Sequence, residues 1–430
     1  MEAAERLPDF YPPKPKNVPE DLAKPTARYR FHAWLAMGGL MLFAGFYLTL
    51  TVWFGWSAYR LFIEAMDGDG LFGFIKAFGA AILAIFLVKG LFFRKGGSGS
   101  REFEITKENQ PKLFEFLYRI ADETGAPRPY KVFLSPAVNA CVFYDLSLLN
   151  FLFPTRKNLE IGLSLVNVLT LSEFKAVLAH EFGHFAQRSM AVGRWVYTAQ
   201  QVATQLISHR DKLDGFLNVI SGIDLRIAWI GWLLRLVVWS LRAILDSLLS
   251  LVMLAERALS REMEFQADLV AVSTTGSDAL IHGLYRLSAA DQAWEEAKSF
   301  ITEHLNKGHV TEDVFAVQTR ILEHNRRILN DPDFGSVPSL PDEGRDTHRI
   351  FTPELAQPPQ MWSTHPQSHL REENAKKRYI HADLDSRSAW EVFENPIVLR
   401  KELTNHLFSD IKEARKRTEE TLQEVDRTYH

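Results

Sequence analysis

The sequence predicts an α+β chain, mainly helical with a small β-sheet, attached to a transmembrane helical hairpin. Three observations predict it. Phe31 to Tyr59 carries no formal charge, and Leu71 to Phe93 carries only Lys76 and Lys89. Leu171 to Arg188, LSEFKAVLAHEFGHFAQR, repeats its apolar residues at three- and four-residue steps, the period of a helix. Tyr130 to Leu134 and Leu159 to Leu165 are short strand-like runs on either side of Asn139-Ala140. Helix, small sheet, then helix is an α+β order.

Composition sets the outer bounds. A chain of 430 residues suggests two or three domains. Hydrophobic residues make up 47% and charged residues 24%, both ordinary for a folded protein, but the apolar content is segregated into blocks. The net charge of −4 gives no global basic field, so nucleic acid is not an expected partner. The single cysteine, Cys141, excludes an intrachain disulfide and fits a reducing compartment.

Residues 1–30 form a polar, Pro-rich tail, in which Pro12, Pro13, Pro15, Pro19 and Pro25 keep the chain extended or loose. Nothing in it resembles a cleavable signal peptide. Residues 31–95 read as the hairpin. Its first run exceeds a hydrocarbon core of about 30 Å at about 1.5 Å per residue. Trp34, Trp53, Trp56 and Tyr59 cluster towards the ends of that run, as interfacial aromatics do. Asp67-Gly68-Asp69-Gly70 makes an acidic turn, and Lys76 and Lys89 lie where long side chains can snorkel. Arg28 and Arg30 precede the hairpin, and Arg94, Lys95 and Arg101 follow it. The positive-inside tendency therefore puts both feet, and the domain that follows, on the cytoplasmic side of the membrane.

Gly96 to Ser100 is a flexible linker. In Lys107 to Thr124, Leu113, Leu117 and Ile120 share one helical face, and Gly125 to Pro129 stops the helix. The helix that begins near Leu171 has a capping-box start, with Thr170 three residues before Glu173. His180, Glu181, Phe182, Gly183 and His184 form H-E-x-x-H. On a helix the two histidines lie one turn apart and point the same way, an arrangement that suits one Zn²⁺. Glu181 lies about 100° further round, beside the metal, where it can take a proton from the attacking water.

Residues 214–256 read as a membrane-associated arm. Within it, Ile227 to Leu254 is apolar but carries Arg235, Arg242 and Asp246 on one stripe. Three readings compete: a span with the stripe towards protein, an interfacial helix, or one arm of a soluble hairpin. Its length and tryptophans favour membrane contact. Arg257 to Thr275 is helical in pattern, with Glu264 and Asp268 on one face. In zinc peptidases with two histidines and one glutamate, the third ligand comes from a separate helix. A carboxylate one turn on can accept the free N–H of a ligand histidine. The other reading of this spacing is a solvated face, as for Glu256 and Glu262.

HEFGH followed by SREMEFQAD resembles the HtpX-type and CAAX-prenyl-protease superfamily of integral-membrane zinc metallopeptidases, the gluzincins. VNACVF, NLEIGLSLVNVLTLSEFKAVLAHEFGH and THPQSHLR are similar to further family segments in the same order. The resemblance implies a mainly helical, zincin-like metallopeptidase domain over residues 101–285, completed by a His-Pro/Arg element at 361–385. It implies one zinc per chain, held by His180, His184 and Glu264, with Glu181 activating water. It further implies that Asp268 supports a ligand histidine, that Arg371 braces the Glu264 side, and that His365 stabilises the oxyanion. Asn139 and Ala140 would lie on an edge strand that pairs with substrate. Residues 286–360 match the family poorly and read as an insert or lid, and residues 386–430 as a C-terminal helical segment. The expected activity is proteolysis of membrane or misfolded polypeptides at the bilayer, in membrane-protein quality control. The alternatives are a processing protease for one membrane partner and a catalytically silent zinc-stabilised scaffold.

Overall fold

A computed structural model describes residues 8–91, 103–144, 157–186, 225–352, 366–408 and 418–428. The chain divides into two units. One is Met1–Lys24, Gly99–Gln187 and Met263–His430; the other is Pro25–Ser98 and Arg188–Glu262.

The second unit is helical. Thr26 caps α1 (Ala27–Glu64) by accepting a hydrogen bond from the Tyr29 N–H. A π-turn over Ala65–Asp69 leads into α2 (Gly70–Leu91). The reversal uses Gly68 at φ 139° and Gly70 at φ 61°, conformations that side chains resist. The Tyr47 hydroxyl donates to the Leu87 carbonyl at 2.5 Å and ties α2 to α1. The long helix α6 (Leu225–Thr275) begins in this unit and ends in the other. Its buried Leu234, Val238, Leu241, Leu245, Leu249 and Val252 recur at three- and four-residue steps, as in a helix–helix seam. Leu234 meets Gly79 of α2, and Val252 meets Gly39 of α1. Glycine at both contacts lets the helices approach closely.

Outward faces of this unit are apolar: Trp34 and Leu42 are 77% exposed and Leu71 79%. Among the described residues, Ala27–Gly68, Gly70–Val88 and Trp232–Thr275 are long and apolar enough to cross a membrane. A soluble surface does not expose such a continuous apolar area; a bilayer covers it. The polar stripe of α6 is not uniformly turned inwards. Arg242 packs over the Phe86 ring at 5.3 Å, while Asp246 is exposed. Glu262, expected to be solvated, is instead buried and paired with Arg28 at 2.8 Å.

The first unit holds the sheet, in the order β1-β2-β4-β3. Strand β2 (Val132–Ser135) pairs antiparallel with β1 (Phe103–Ile105) and parallel with β4 (Lys157–Gly162). Strand β3 (Ala140–Tyr144) pairs antiparallel with β4 and is an edge strand among the described residues. The expected strand from Leu159 to Leu165 stops at Gly162 and becomes the short helix α4 (Leu163–Val166). At Gly162 the 137–139 backbone passes so close that a Cβ would lie 2.0 Å from the Ala137 carbonyl. One face of the sheet, including Leu159 and Ile161, packs into a core with Leu113, Leu117 and Ile120 of α3 (Pro111–Thr124). Gly125 ends α3 in the left-handed conformation, φ 67°.

The stretch expected to be an insert contributes to the same core. Trp294 of α7 (Ser277–Asn306) stacks on Phe315 of α8 (Val314–Ile328), and both are core residues. Gln318 is wholly buried and donates to the Ser164 and Ala290 carbonyls. The described part of the Pro-rich tail, expected to be extended or loose, has turns at Pro8–Tyr11 and Pro19–Leu22 and packs against the unit. Tyr11 and Leu22 are core residues, 3% and 6% exposed.

Candidate metal centre

Helix α5 (Leu171–Ala186) runs through the middle of the first unit, and every residue from Leu171 to Gly183 is buried. Its capping box forms in both directions. The Thr170 N–H donates to Glu173 Oε2 at 2.9 Å, and the Glu173 N–H donates to Thr170 Oγ1 at 3.4 Å. Arg286 of α7 fixes the other Glu173 oxygen at 2.9 Å. The start of the helix is thereby set, and the phase of the two histidines with it.

His180 Nε2 and His184 Nε2 lie 3.2 Å apart. Glu264, from α6, completes a triangle: Oε2 is 3.4 Å from His180 Nε2, and Oε1 is 3.4 Å from His184 Nε2. Tetrahedral zinc bonds of about 2.0–2.1 Å separate ligand atoms by about 3.3–3.4 Å. The donor set therefore fits a zinc-sized ion in both chemistry and spacing. No other cluster of this kind occurs among the described residues.

Two helices must come close for this to happen. A Cβ on Gly183, one of the two variable positions of H-E-x-x-H, would sit 3.0 Å from the Ala267 Cα of α6. Glycine here lets α5 and α6 touch backbone to backbone.

A polar layer backs the ligands. Asp268, 0% exposed, lies one turn beyond Glu264, and its Oδ1 is 2.9 Å from His180 Nδ1. Arg371, on α9 (Ser368–Lys376), binds Asp268 with two nitrogens, at 3.0 Å and 2.5 Å. The same guanidinium lies 3.3 Å from His180 Nδ1. Arg371 thus reaches the Glu264 side of the site through Asp268, one turn on, and also lies against His180. Burial and the Arg371 charge pull the His180 pKa down, but hydrogen bonds with Asp268 and Glu264 outweigh them and hold it at about 9. Asp268 in turn keeps Arg371 charged despite its burial.

Helix α9 is itself anchored. Asn374 donates to the Phe265 carbonyl at 2.9 Å. Glu372 and Lys376, both fully buried, pair at 3.2 Å and hold the end of the 286–360 stretch. Glu372 accepts the Ile350 and Phe351 N–H groups, and Lys376 donates to the His348 carbonyl.

Glu181 is buried at the same level of α5. Its charge helps raise the Cys141 thiol to about 12, after burial and together with Glu160. On β3, Ala140 is buried and pairs in register with Ile161; Asn139, just before the strand, is exposed, and its carbonyl accepts the Gly162 N–H. His365 lies outside the described residues. The close approach at Gly183 and the buried Lys175 on the back of α5 were missed from sequence. Lys175 was detectable as the lone cation in an otherwise buried helix.

Peptidase family M48 matches residues 108–379 of the chain, a range that contains every residue of this cluster. The chain belongs to peptidase family M48. Among curated proteins it is similar to Protease HtpX of Haemophilus influenzae, 27% identical over 262 residues, which span 58% of this chain and 81% of that protein. It is also similar to a Protease HtpX homolog of Trichormus variabilis, 27% identical over 193 residues, 43% of this chain and 60% of that protein. No solved structure matches it. Family membership and the apolar helices together make this M48 chain a membrane-associated metalloprotease.

Proposed function

We propose that the chain is a membrane-anchored, zinc-dependent endopeptidase acting on the cytoplasmic face of its membrane. The observation that carries this is the triangle of His180, His184 and Glu264 donor atoms, at the spacing of tetrahedral zinc. These three residues would hold one zinc ion, which when bound polarises the scissile carbonyl and lowers the pKa of an attacking water towards ~7.

The chain's own groups do the rest. Glu181 takes the proton from the attacking water and delivers it to the leaving amine. Asp268 holds the Nδ1–H of His180, which directs the Nε2 lone pair towards the ligand triangle. Arg371 balances the Asp268 charge, so that a buried carboxylate stays ionised beside the ligands. Asn139 and Ala140, at the β3 edge of the sheet, pair with the substrate backbone and select little among side chains. His365 supplies a hydrogen bond to the developing oxyanion.

Anchoring in the bilayer points to membrane or misfolded polypeptides as substrates, and hence to membrane-protein quality control. The basic residues flanking the hairpin support the cytoplasmic orientation. The test is cleavage of an unfolded model protein in detergent by wild type and Glu181→Gln, with zinc content measured in both. The expected result is equal zinc and a loss of activity in the variant of at least about 100-fold. Zinc in both without cleavage by either points to a selective processing enzyme or a silent scaffold. A wild type without zinc overturns the reading.

A further inference from the structure

Residues 8–24 are separated in sequence from the rest of the first unit by the whole membrane hairpin, yet they belong to it. Their contacts fall on the two helices that carry the ligand triangle. On α5, Lys175 donates to the Pro12 carbonyl at 2.8 Å, and its ammonium sits 4.2 Å from the centre of the Tyr11 ring. On α6, the Gln266 side chain donates to the Ala23 carbonyl at 2.5 Å. The Tyr11 ring also packs edge-on against Phe116 of α3 at 5.2 Å. Asp9 and Asp21, near the two ends, pair with Arg387 and Arg378 at 3.0 Å and 2.7 Å.

The grips lie opposite the ligands. At about 100° per residue, Lys175 points about 140° away from His180 and about 180° away from His184. Gln266 points about 160° away from both Glu264 and Asp268. The tail therefore touches the reverse faces of α5 and α6, while the front faces meet at the metal centre. Both gripping side chains are buried, at 0% and 4% exposure: Gln266 donates to the Ala23 carbonyl, and Lys175 divides its ammonium between the tail and Glu123 of α3, 3.0 Å away.

We infer that residues 8–24 are a brace that holds the two ligand-bearing helices in register from behind, and that Lys175 and Gln266 are positioning residues acting through it. This rests on the metal reading above only for its effect on zinc. The ligand atoms must stay within a few tenths of an ångström of their spacing, and each helix supplies only part of the set. A clamp across both backs sets that spacing.

The test uses the full-length protein in detergent, with a specific protease site inserted after Lys24. Cutting and washing away the tail from the zinc-loaded protein should speed zinc release into a chelator about tenfold. It should also lower kcat with little change in KM, and a synthetic peptide of residues 8–24 should restore both. Tyr11→Ala and Gln266→Leu in the uncut chain should shift zinc release the same way; exposed Lys16→Ala should not. Should a point variant fail to fold, the cut-and-restore arm decides. Unchanged zinc release and kcat after tail removal would overturn the inference. If wild type binds no zinc, hydrogen exchange takes over. Protection of residues 8–24, and faster exchange in α5 once they are removed, support the brace alone; exchange at free-peptide rates overturns it.

Discussion

A hydrogen atom on Gly183 decides how near the two ligand helices stand. Substituting alanine places a methyl 3.0 Å from backbone that cannot yield as a flexible side chain would. The helices must part by a few tenths of an ångström, which stretches the reach from His184 to Glu264. Gly183→Ala should therefore destabilise the fold by about 1–3 kcal/mol and weaken zinc binding by more than a comparable change elsewhere on α5. Thermal melting with and without zinc separates the two effects. If zinc raises the melting temperature equally in wild type and variant, the close approach does not serve the metal. Lys175 gives a second prediction. Burial pushes its pKa down to about 8, against the pull of Glu123, from about 10.4 in the unfolded chain. Between those values the unfolded chain holds more protons than the folded one, so stability increases with pH. The first unit should thus gain stability from about pH 8 to ~10, with Lys157, lowered to about 8 by its own burial, adding to the slope. Chemical denaturation across that range should show a smaller slope in Lys175→Met; an equal slope removes Lys175 as a source.

At the scale of elements, what was legible in the sequence was what is local. The capping box of Thr170 and Glu173 forms as their spacing predicts, because both partners lie within one turn. Glu264 and Asp268 share a face for the same reason, and the core side of α3 follows its period. What was hidden depends on partners far along the chain. The end of β4 at Gly162 is imposed by the backbone of residues 137–139 crossing it, a steric fact with no periodic signature. Helices α7 and α8 looked like an insert because their sequence departs from the family; Trp294, Phe315 and Gln318 show them packed into the common core. The motif order of Arg371 carries proximity to the Glu264 side but not its hydrogen-bond partner, which is Asp268 one turn on. The tail misled most. Prolines and charges read as loose chain, yet Tyr11 and Leu22 enter the core, with Phe10 and Val18 packed against it.

For the whole molecule, the tail's membership of the first unit makes a prediction about topology. Residues 8–24 and the ligand cluster belong to one unit, with α1 and α2 between them in sequence. On the proposed reading of the hairpin as two spans, the expected outcome is that the N-terminal segment and the ligand cluster lie on one side of the membrane. Single cysteines placed in a Cys141→Ser background test this with a membrane-impermeant thiol reagent. Lys16→Cys and Glu343→Cys, both exposed in the first unit, should label from the same face, and Asp67→Cys in the hairpin turn from the opposite one. Labelling of Lys16→Cys together with Asp67→Cys would break the relation.

The brace also has a clock. The tail leaves the ribosome first, but its contacts on α6, Arg378 and Arg387 are made last; Asp9 meets an arginine 378 positions later. At about 5–20 residues per second, that interval is roughly 20–75 s. For most of it the hairpin is already made, while the tail's full set of contacts, ending with Arg378 and Arg387, is incomplete. Newly made chains should therefore be anchored before the tail's brace is complete, a delay written into the order of the sequence.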